Sequence, residues 1–403
     1  MITNEFIAKI EGHGKLLVNF SSNDVHLEID EGERLFEGIL VNRPPEDATW
    51  ITPRICGVCP IAHNLASLAA VEDALKIKIT DTSKSLRDLM QCSQMIQSHN
   101  LHLFFLALPD YIGIDRGTEL AKKDPKSFKK ALNLKEIADE IAITVAGRNV
   151  HPTTTSIGGF HKIPTKRQLE SLLEKMEKHE EDAKWVVDFF SKLKYPQLKV
   201  DLELISQIDD KIVSNKNKEV LIKEYKQNIE EELREYSTAK FGKFQGREIM
   251  VGALARLALA KTNNDFSETA LSAIEKLDFQ NPFHNNFAQA IEIEVFYKKA
   301  ENIIRNLLDR GMDDRVVEPI ENTGNGIGAT EAPRGGLYHE IHIENGIITY
   351  ANIITPTVQN LTSIEKSAKE LLIQNEGKSQ KEKERLLNML VRAYDPCITC
   401  SVH

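Results

Sequence analysis

Apolar residues recur at helical spacing along most of the chain and at strand spacing near its beginning and again before its last helices. "KLLVNF" and "VHLEID" are short strands, apolar or alternating, divided by the turn-like "SSND". "IAHNLASLAAVEDAL" predicts a helix rich in small residues, and residues 83–107 a second, mostly apolar helix ending near Pro109. "LKEIADEIAITVAGRNV" predicts another, closed at His151–Pro152 because a residue before proline leaves the α region. A charged amphipathic helix covers 166–192, and residues 207–236 are so polar that they belong at the surface. Helices fit 247–260, 266–276 and 285–309. A glycine-rich loop, "NTGNGIGATEAPRGG", leads into the hairpin "LYHEIHIENGIITYANI", whose "ENG" is the turn. Two helices follow, 362–375 and 380–394, the second amphipathic through Leu386, Leu387, Leu390, Val391 and Tyr394. There is no internal repeat and no Gly- or Ser-rich linker. The expected fold is α+β and mainly α, in a single domain spanning 1–403.

Composition narrows the class of function. The chain has 403 residues, 41% hydrophobic and 28% charged, as a soluble globular protein does. Its net charge of −9 disfavours nucleic acid or membrane surface as a partner, since both attract a basic face. The start, "MITNEFIAKIEGHG", has no basic segment followed by an apolar run. No apolar stretch reaches the roughly 18–20 residues of a membrane span. The expected location is the cytoplasm.

The cysteines carry the chemistry. Cys56 and Cys59 form one C-x-x-C pair, Cys397 and Cys400 a second, and Cys92 lies in an apolar-periodic helix as a buried small hydrophobe. Disulfides are rare in a reducing cytosol, so the pairs bind metal or react by redox. Thiolates suit zinc, nickel and iron–sulfur centres alike. Structural zinc sites staple local loops, whereas Cys56 and Cys397 are 341 positions apart. A four-thiolate site joining the two ends of a large chain fits a buried catalytic centre better.

The surroundings of the pairs, "RICGVCPIAH" and "DPCITCSVH", together resemble the two signature motifs of the large subunit of nickel–iron hydrogenases. "KIEGHG", "RLFEGIL", "SHNLHLFFLALPD", "GRNVHPTTTSIGGF", "VGALARL", "TEAPRGGLYHEI" and "IITPTVQN" resemble further blocks of that family's cytoplasmic branch. Only about 195–240 is unlike it, which the resemblance marks as a variable surface region. The implied fold has a central bundle of long helices, a β-rich segment over 1–50 and a β/helical segment over 320–403 that closes the metal site.

The resemblance implies roles by position. Cys56 and Cys397 would bind nickel terminally, and Cys59 and Cys400 would bridge nickel to an iron carrying carbon monoxide and two cyanides. Glu11 would take the proton released at Cys397 when dihydrogen splits. A carboxylate with a reference pKa of about 4 needs partial burial for that task. Arg334, after Pro333, would stand over the open nickel position, and Thr355 or Thr357 would hydrogen-bond a cyanide. Arg54, His63, His99 and Asp395 would support the sulfurs. Glu37, His403 and a main-chain carbonyl near Asn352 would hold magnesium through waters, with iron as the alternative ion. Ser98 stands where oxygen-tolerant membrane-bound relatives carry aspartate.

After four nickel ligands only Cys92 remains, so the chain is expected to hold no iron–sulfur cluster. An obligate iron–sulfur small subunit and further flavin subunits are therefore expected partners, passing electrons to NAD(P), deazaflavin or ferredoxin. The family also uses nickel-insertion proteins and a protease that cuts after the motif histidine, so an end at His403 reads as the processed form. Rival readings are a hydrogen-sensing regulatory hydrogenase and a structural four-cysteine zinc protein. A quinone-chamber subunit of respiratory complexes would have lost the cysteines.

Overall fold

The computed structural model describes residues 2–260 and 266–403. Four long helices, Asp81–Leu101, Pro125–Ala146, Lys166–Ser191 and Asn285–Arg310, pack side by side as the central body. Their ends are specified locally. Thr80 and Asp124 accept from the backbone N–H groups of Ser83 and Ser127, and Thr165 with Gln168 forms a reciprocal cap. In the helix Lys166–Ser191 the buried residues Leu169, Leu172, Met176, Ala183, Val186, Val187 and Phe190 make one apolar stripe. Asn285–Arg310 packs against two of the others and buries polar residues as well.

Two three-stranded antiparallel sheets flank this body. One consists of Ile2–Phe6, Lys15–Asn19 and Asp24–Glu28. The other consists of Gly324–Ala332, Gly335–Glu344 and Ile347–Ile354, with its turn at Asn345–Gly346 as expected. Among the described residues no helix is long and apolar enough to cross a membrane.

Five expectations change. Pro109 does not end the second helix: Asp81–Leu101 continues through a π-helical turn, His102–Ala107, into Leu108–Ile112. Proline sits there near the start of a helical segment, where its missing N–H is tolerated. The helix expected to close at His151–Pro152 starts earlier, at Pro125, and stops at Ala146 because Gly147 takes a left-handed cap at φ 78°. The helix placed at 247–260 is confined to Ala253–Leu259, after a short strand at Ile249–Met250 that pairs with Glu203 and Leu204.

The largest correction concerns the glycine-rich loop, which is a strand. Gly324, Gly326 and Gly328 lie along the helix Pro60–Ala74, and a Cβ on them would sit 2.2, 2.0 and 2.0 Å from the carbonyl oxygens of Ala74, Ala70 and Ala66. Glycine is there for close backbone approach, with period two on the strand matched to period four on the helix. The polar stretch 207–236 is likewise not a bare surface segment. It builds strands Glu203–Ile208, Lys211–Ser214, Glu219–Leu221 and Ile229–Arg234. Their inner residues Ile205, Ile212, Tyr225 and Ile229 form a core with Phe244, Val251 and Tyr338, so only the outer face is at the surface.

Candidate metal centre

The first cysteine pair is formed where a 3-10 turn, Thr52–Ile55, runs into the helix Pro60–Ala74. Cys59 occupies the N-cap, and Gln94 of the central helix accepts the free N–H groups of Ile61 and Ala62 at 2.7 and 3.2 Å. Cys56 Sγ accepts from the N–H groups of Val58 and Cys59 at 3.2 and 3.3 Å. The last pair is held from two sides. Cys397 N–H donates to Thr357 Oγ1 at 2.9 Å, and Ile398 N–H to the Glu11 carbonyl at 2.9 Å. Arg34 ties the two loops together by donating to the carbonyls of Ile55 and Thr399.

The result is a compact sulfur cluster. All four sulfurs lie within 4.8 Å of one another and all four cysteines are buried. Cys56–Cys397 and Cys59–Cys400 are each 3.4 Å apart, and Cys397–Cys400 is 2.9 Å. Apolar side chains of Ile55, Ala62, Ala66, Ala332, Leu337 and Ile353 enclose them. The Cys56 thiol is pushed down by hydrogen bonds from Cys397 and the other sulfurs, while burial and neighbouring sulfur push Cys397 and Cys400 up. Four thiolates cannot ionise together here without cations, and soft sulfur donors suit nickel and iron.

Glu11 stands at the edge of the cluster. Its Oε2 is 3.0 Å from Cys397 Sγ and accepts from Thr399 N–H at 3.2 Å. Arg334 donates to the Asp395 carbonyl at 2.6 Å and to Asp395 Oδ1 at 2.9 Å. Burial works against its charge, but the Asp395 carboxylate and the sulfurs of Cys397, Cys59 and Cys56 outweigh that and hold it protonated. Its Nη1 is buried without a partner, and so is Thr355 Oγ1. Thr357 already accepts from Cys397 N–H, leaving its own proton to donate. The donors of Arg334 and Thr357 beside the sulfurs are what iron-bound diatomic ligands would require.

The expected supporting residues divide. His63 Nε2 faces Cys400 Sγ at 3.9 Å. His99 does not touch a sulfur; it meets Glu292 at 2.8 Å. Arg256 grips that carboxylate with two bonds, at 2.6 and 2.7 Å, and donates to Glu331 and to the carbonyls of Ala332 and Pro333. His99 and Pro333 thus belong to one buried network that fixes the turn carrying Arg334. Arg54 is a correction: it is exposed and donates to the Trp50 carbonyl, not to sulfur. Sequence spacing gives no direction for a side chain on a turn.

Glu37 accepts from Ile353 N–H at 2.7 Å and from Asn352 Nδ2 at 3.1 Å, and it lies 4.0 Å from His403 Nε2. The carbonyl that faces His403 is that of Ile353, at 2.9 Å, so Asn352 buttresses Glu37 instead. Arg34, Gln94, Arg256, Glu292 and His339 receive no role from the sequence, although Arg34, Arg256 and His339 lie in the blocks "RLFEGIL", "VGALARL" and "TEAPRGGLYHEI", because each acts on a partner distant in the chain.

Comparison with known proteins agrees with this geometry. The family model for nickel-dependent hydrogenase matches residues 34–133 and 203–403. That includes most of the segment expected to be unlike the family and leaves out 134–202. Sulfhydrogenase 1 subunit alpha of Pyrococcus furiosus is 32% identical, covering 100% of this chain and 97% of the relative. The NAD-reducing hydrogenase HoxS subunit beta of Cupriavidus necator is 27% identical, covering 98% and 93%. The crystal structure of an NAD+-reducing nickel–iron hydrogenase superposes with a TM-score of 0.89 at 22% identity, over 100% of this chain and 99% of that one. At that identity the superposition speaks for the fold. The match to the family over both cysteine pairs, and to relatives along their whole length, decides the rest: this chain belongs to the nickel-dependent hydrogenases, as their large, catalytic subunit.

Proposed function

We propose that this subunit splits dihydrogen heterolytically and reversibly into two protons and two electrons. The protons leave through Glu11, and the electrons pass through a separate iron–sulfur small subunit to a soluble acceptor: NAD(P), deazaflavin or ferredoxin. Cys56 and Cys397 would hold nickel, and Cys59 and Cys400 would share it with an iron carrying carbon monoxide and two cyanides. When bound, that pair supplies an electron-rich centre with an open position at which dihydrogen is polarised.

The chain's own residues do the rest. Cys397 accepts the first proton at sulfur and hands it to Glu11 Oε2, 3.0 Å away. Arg334 stands beside the sulfurs with its charge fixed by Asp395, and its free Nη1 together with the Thr357 hydroxyl would supply donors to the cyanides. Glu37, His403 and the Ile353 carbonyl form the magnesium site. Both His403 ring nitrogens face carbonyl oxygens, of Cys400 at 2.7 Å and Ile353 at 2.9 Å, yet a neutral imidazole donates from only one. A cation held between His403 Nε2, the Ile353 carbonyl and Glu37 would satisfy the other, and magnesium prefers hard oxygen donors of this kind.

Leu35, Ile39, Trp50 and Arg54 are exposed around the first cysteine loop and offer the small subunit a mostly apolar landing beside the metals. The relatives' names include an NAD-reducing enzyme and sulfhydrogenases, which supports a soluble acceptor.

The observation that carries the reading is the contact of Glu11 with Cys397 inside the four-sulfur cluster. Its test is isotope exchange in the purified complex, with dihydrogen over deuterated water and no electron acceptor. Heterolysis with a proton exit gives HD from the first minutes. Absence of HD from a nickel-loaded complex would overturn it.

A further inference from the structure

His63 and His339 meet beside the sulfurs, each 1% exposed. His63 Nδ1 lies 3.3 Å from His339 Nε2, and the other end of His63, Nε2, faces Cys400 Sγ at 3.9 Å. The fourth nitrogen, His339 Nδ1, is buried and meets nothing. Both rings are buried, which disfavours a charge, so the pair consists of two neutral rings with one N–H each.

Only one proton fits between the two rings, so two arrangements exist. If His63 Nδ1 carries it, His63 Nε2 turns a lone pair toward the Cys400 sulfur, and His339 must keep its proton on Nδ1. That places a buried donor where there is no acceptor, a defect native structures rarely keep. If His339 Nε2 carries it, His63 bears its proton on Nε2 and aims an N–H at the sulfur. What is left unpaired is then an acceptor, the milder defect. Both considerations select the second arrangement.

We propose that His339 is a positioning residue for the metal centre: by donating its Nε2–H to His63 it holds His63 as an N–H donor to the Cys400 sulfur. A hydrogen bond to a thiolate draws charge from it and so from any metal it ligates. The consequence for nickel and iron rests on the hydrogenase reading, whereas the order of the hydrogen bonds rests on the two rings alone.

The test is the infrared carbon monoxide stretch of the purified complex, with nickel and iron content measured on the same samples. His339→Met removes the donor, and the band should move to lower wavenumber with metal content unchanged. His339→Gln restores an amide N–H near the same place and should return the band to the wild-type position. His63→Leu should shift the band at least as far, and adding His339→Met to it should shift it no further, because His339 acts only through His63. A His339→Met band at the wild-type position, or a shift that adds to that of His63→Leu, overturns the proposal. If His339→Met loads no metal, normal loading of His339→Gln supports the donor role, and failure of both variants overturns it. A wild-type complex without a carbon monoxide band refutes the hydrogenase reading instead, so the two failures are distinct.

Discussion

Glu11 reaches the Cys397 sulfur because a glycine follows it. Gly12 has φ 80°, and a Cβ there would lie 2.8 Å from Ile398 Cβ and 2.9 Å from Thr399 N, so only glycine lets this segment lie against the last cysteine loop. Glu11→Gln keeps the shape and removes the titratable group. Turnover and hydrogen–deuterium exchange should fall by about 10²-fold or more with nickel content unchanged, as for loss of a positioned acid–base group. Exchange at the wild-type rate would remove Glu11 from the proton route. A second prediction concerns Glu292, whose carboxyl loses charge-stabilising water on burial but is pulled down to about 2 by Arg256 and His99. A folded-state value below the unfolded one, about 4.3, stabilises the protein above pH 4, and that contribution is lost as pH falls from there toward 2. In urea titrations, Glu292→Gln should lack this part of the acid-side slope. At neutral pH Arg256→Met should cost on the order of 3–5 kcal/mol by leaving the buried Glu292 carboxylate with His99 alone and no guanidinium. The cysteines, Glu11 and Arg334 were legible because their neighbours in sequence carry a recognisable motif. His339 and Arg256 stand in recognisable blocks too, but what they do was not legible, because their partners, His63 and Glu292, come from other parts of the chain.

At the scale of elements, the period-3.6 pattern found the long helices, and caps such as Thr165 with Gln168 account for where they begin. Glycine misled twice. In "NTGNGIGATEAPRGG" it read as a loop, since glycine is the usual sign of a turn, yet here it removes side chains from a strand pressed on a helix. At Gly147 it ended a helix earlier than the proline expected to do so. The strand–helix contact matters to function because the helix begins at Cys59 and the strand runs to Ala332, two residues before Arg334. Gly326→Ala would put a methyl 2.0 Å from the Ala70 carbonyl, so the helix must move. We expect a loss of about 1–3 kcal/mol or more in thermal or urea denaturation, with less nickel retained per chain. Gly377→Ala, where a Cβ meets nothing, is the control and should change neither.

For the molecule as a whole, the fold brings the two halves of one site from opposite ends of the sequence. Residues near both ends, Glu11 with Ile398 and Arg34 with Thr399, are bonded directly, so the last segment is held partly by protein and partly by what the sulfurs bind. Without a metal, the sulfurs keep only hydrogen bonds, among themselves and to Val58, Cys59, Glu11 and His63. Nickel-free chain should therefore show amide hydrogen exchange in residues 396–403 faster by roughly 10-fold or more than metal-loaded chain, with the central helices unchanged. Equal protection would mean that the protein alone closes the site. The account's central claim is that the four-cysteine cluster holds a nickel–iron pair that handles dihydrogen. Metal analysis of the purified complex, combined with its infrared spectrum, tests that most directly. The account predicts one nickel per chain, accompanied by iron and by sharp carbon monoxide and cyanide bands. One zinc per chain, without nickel and without those bands, would contradict it.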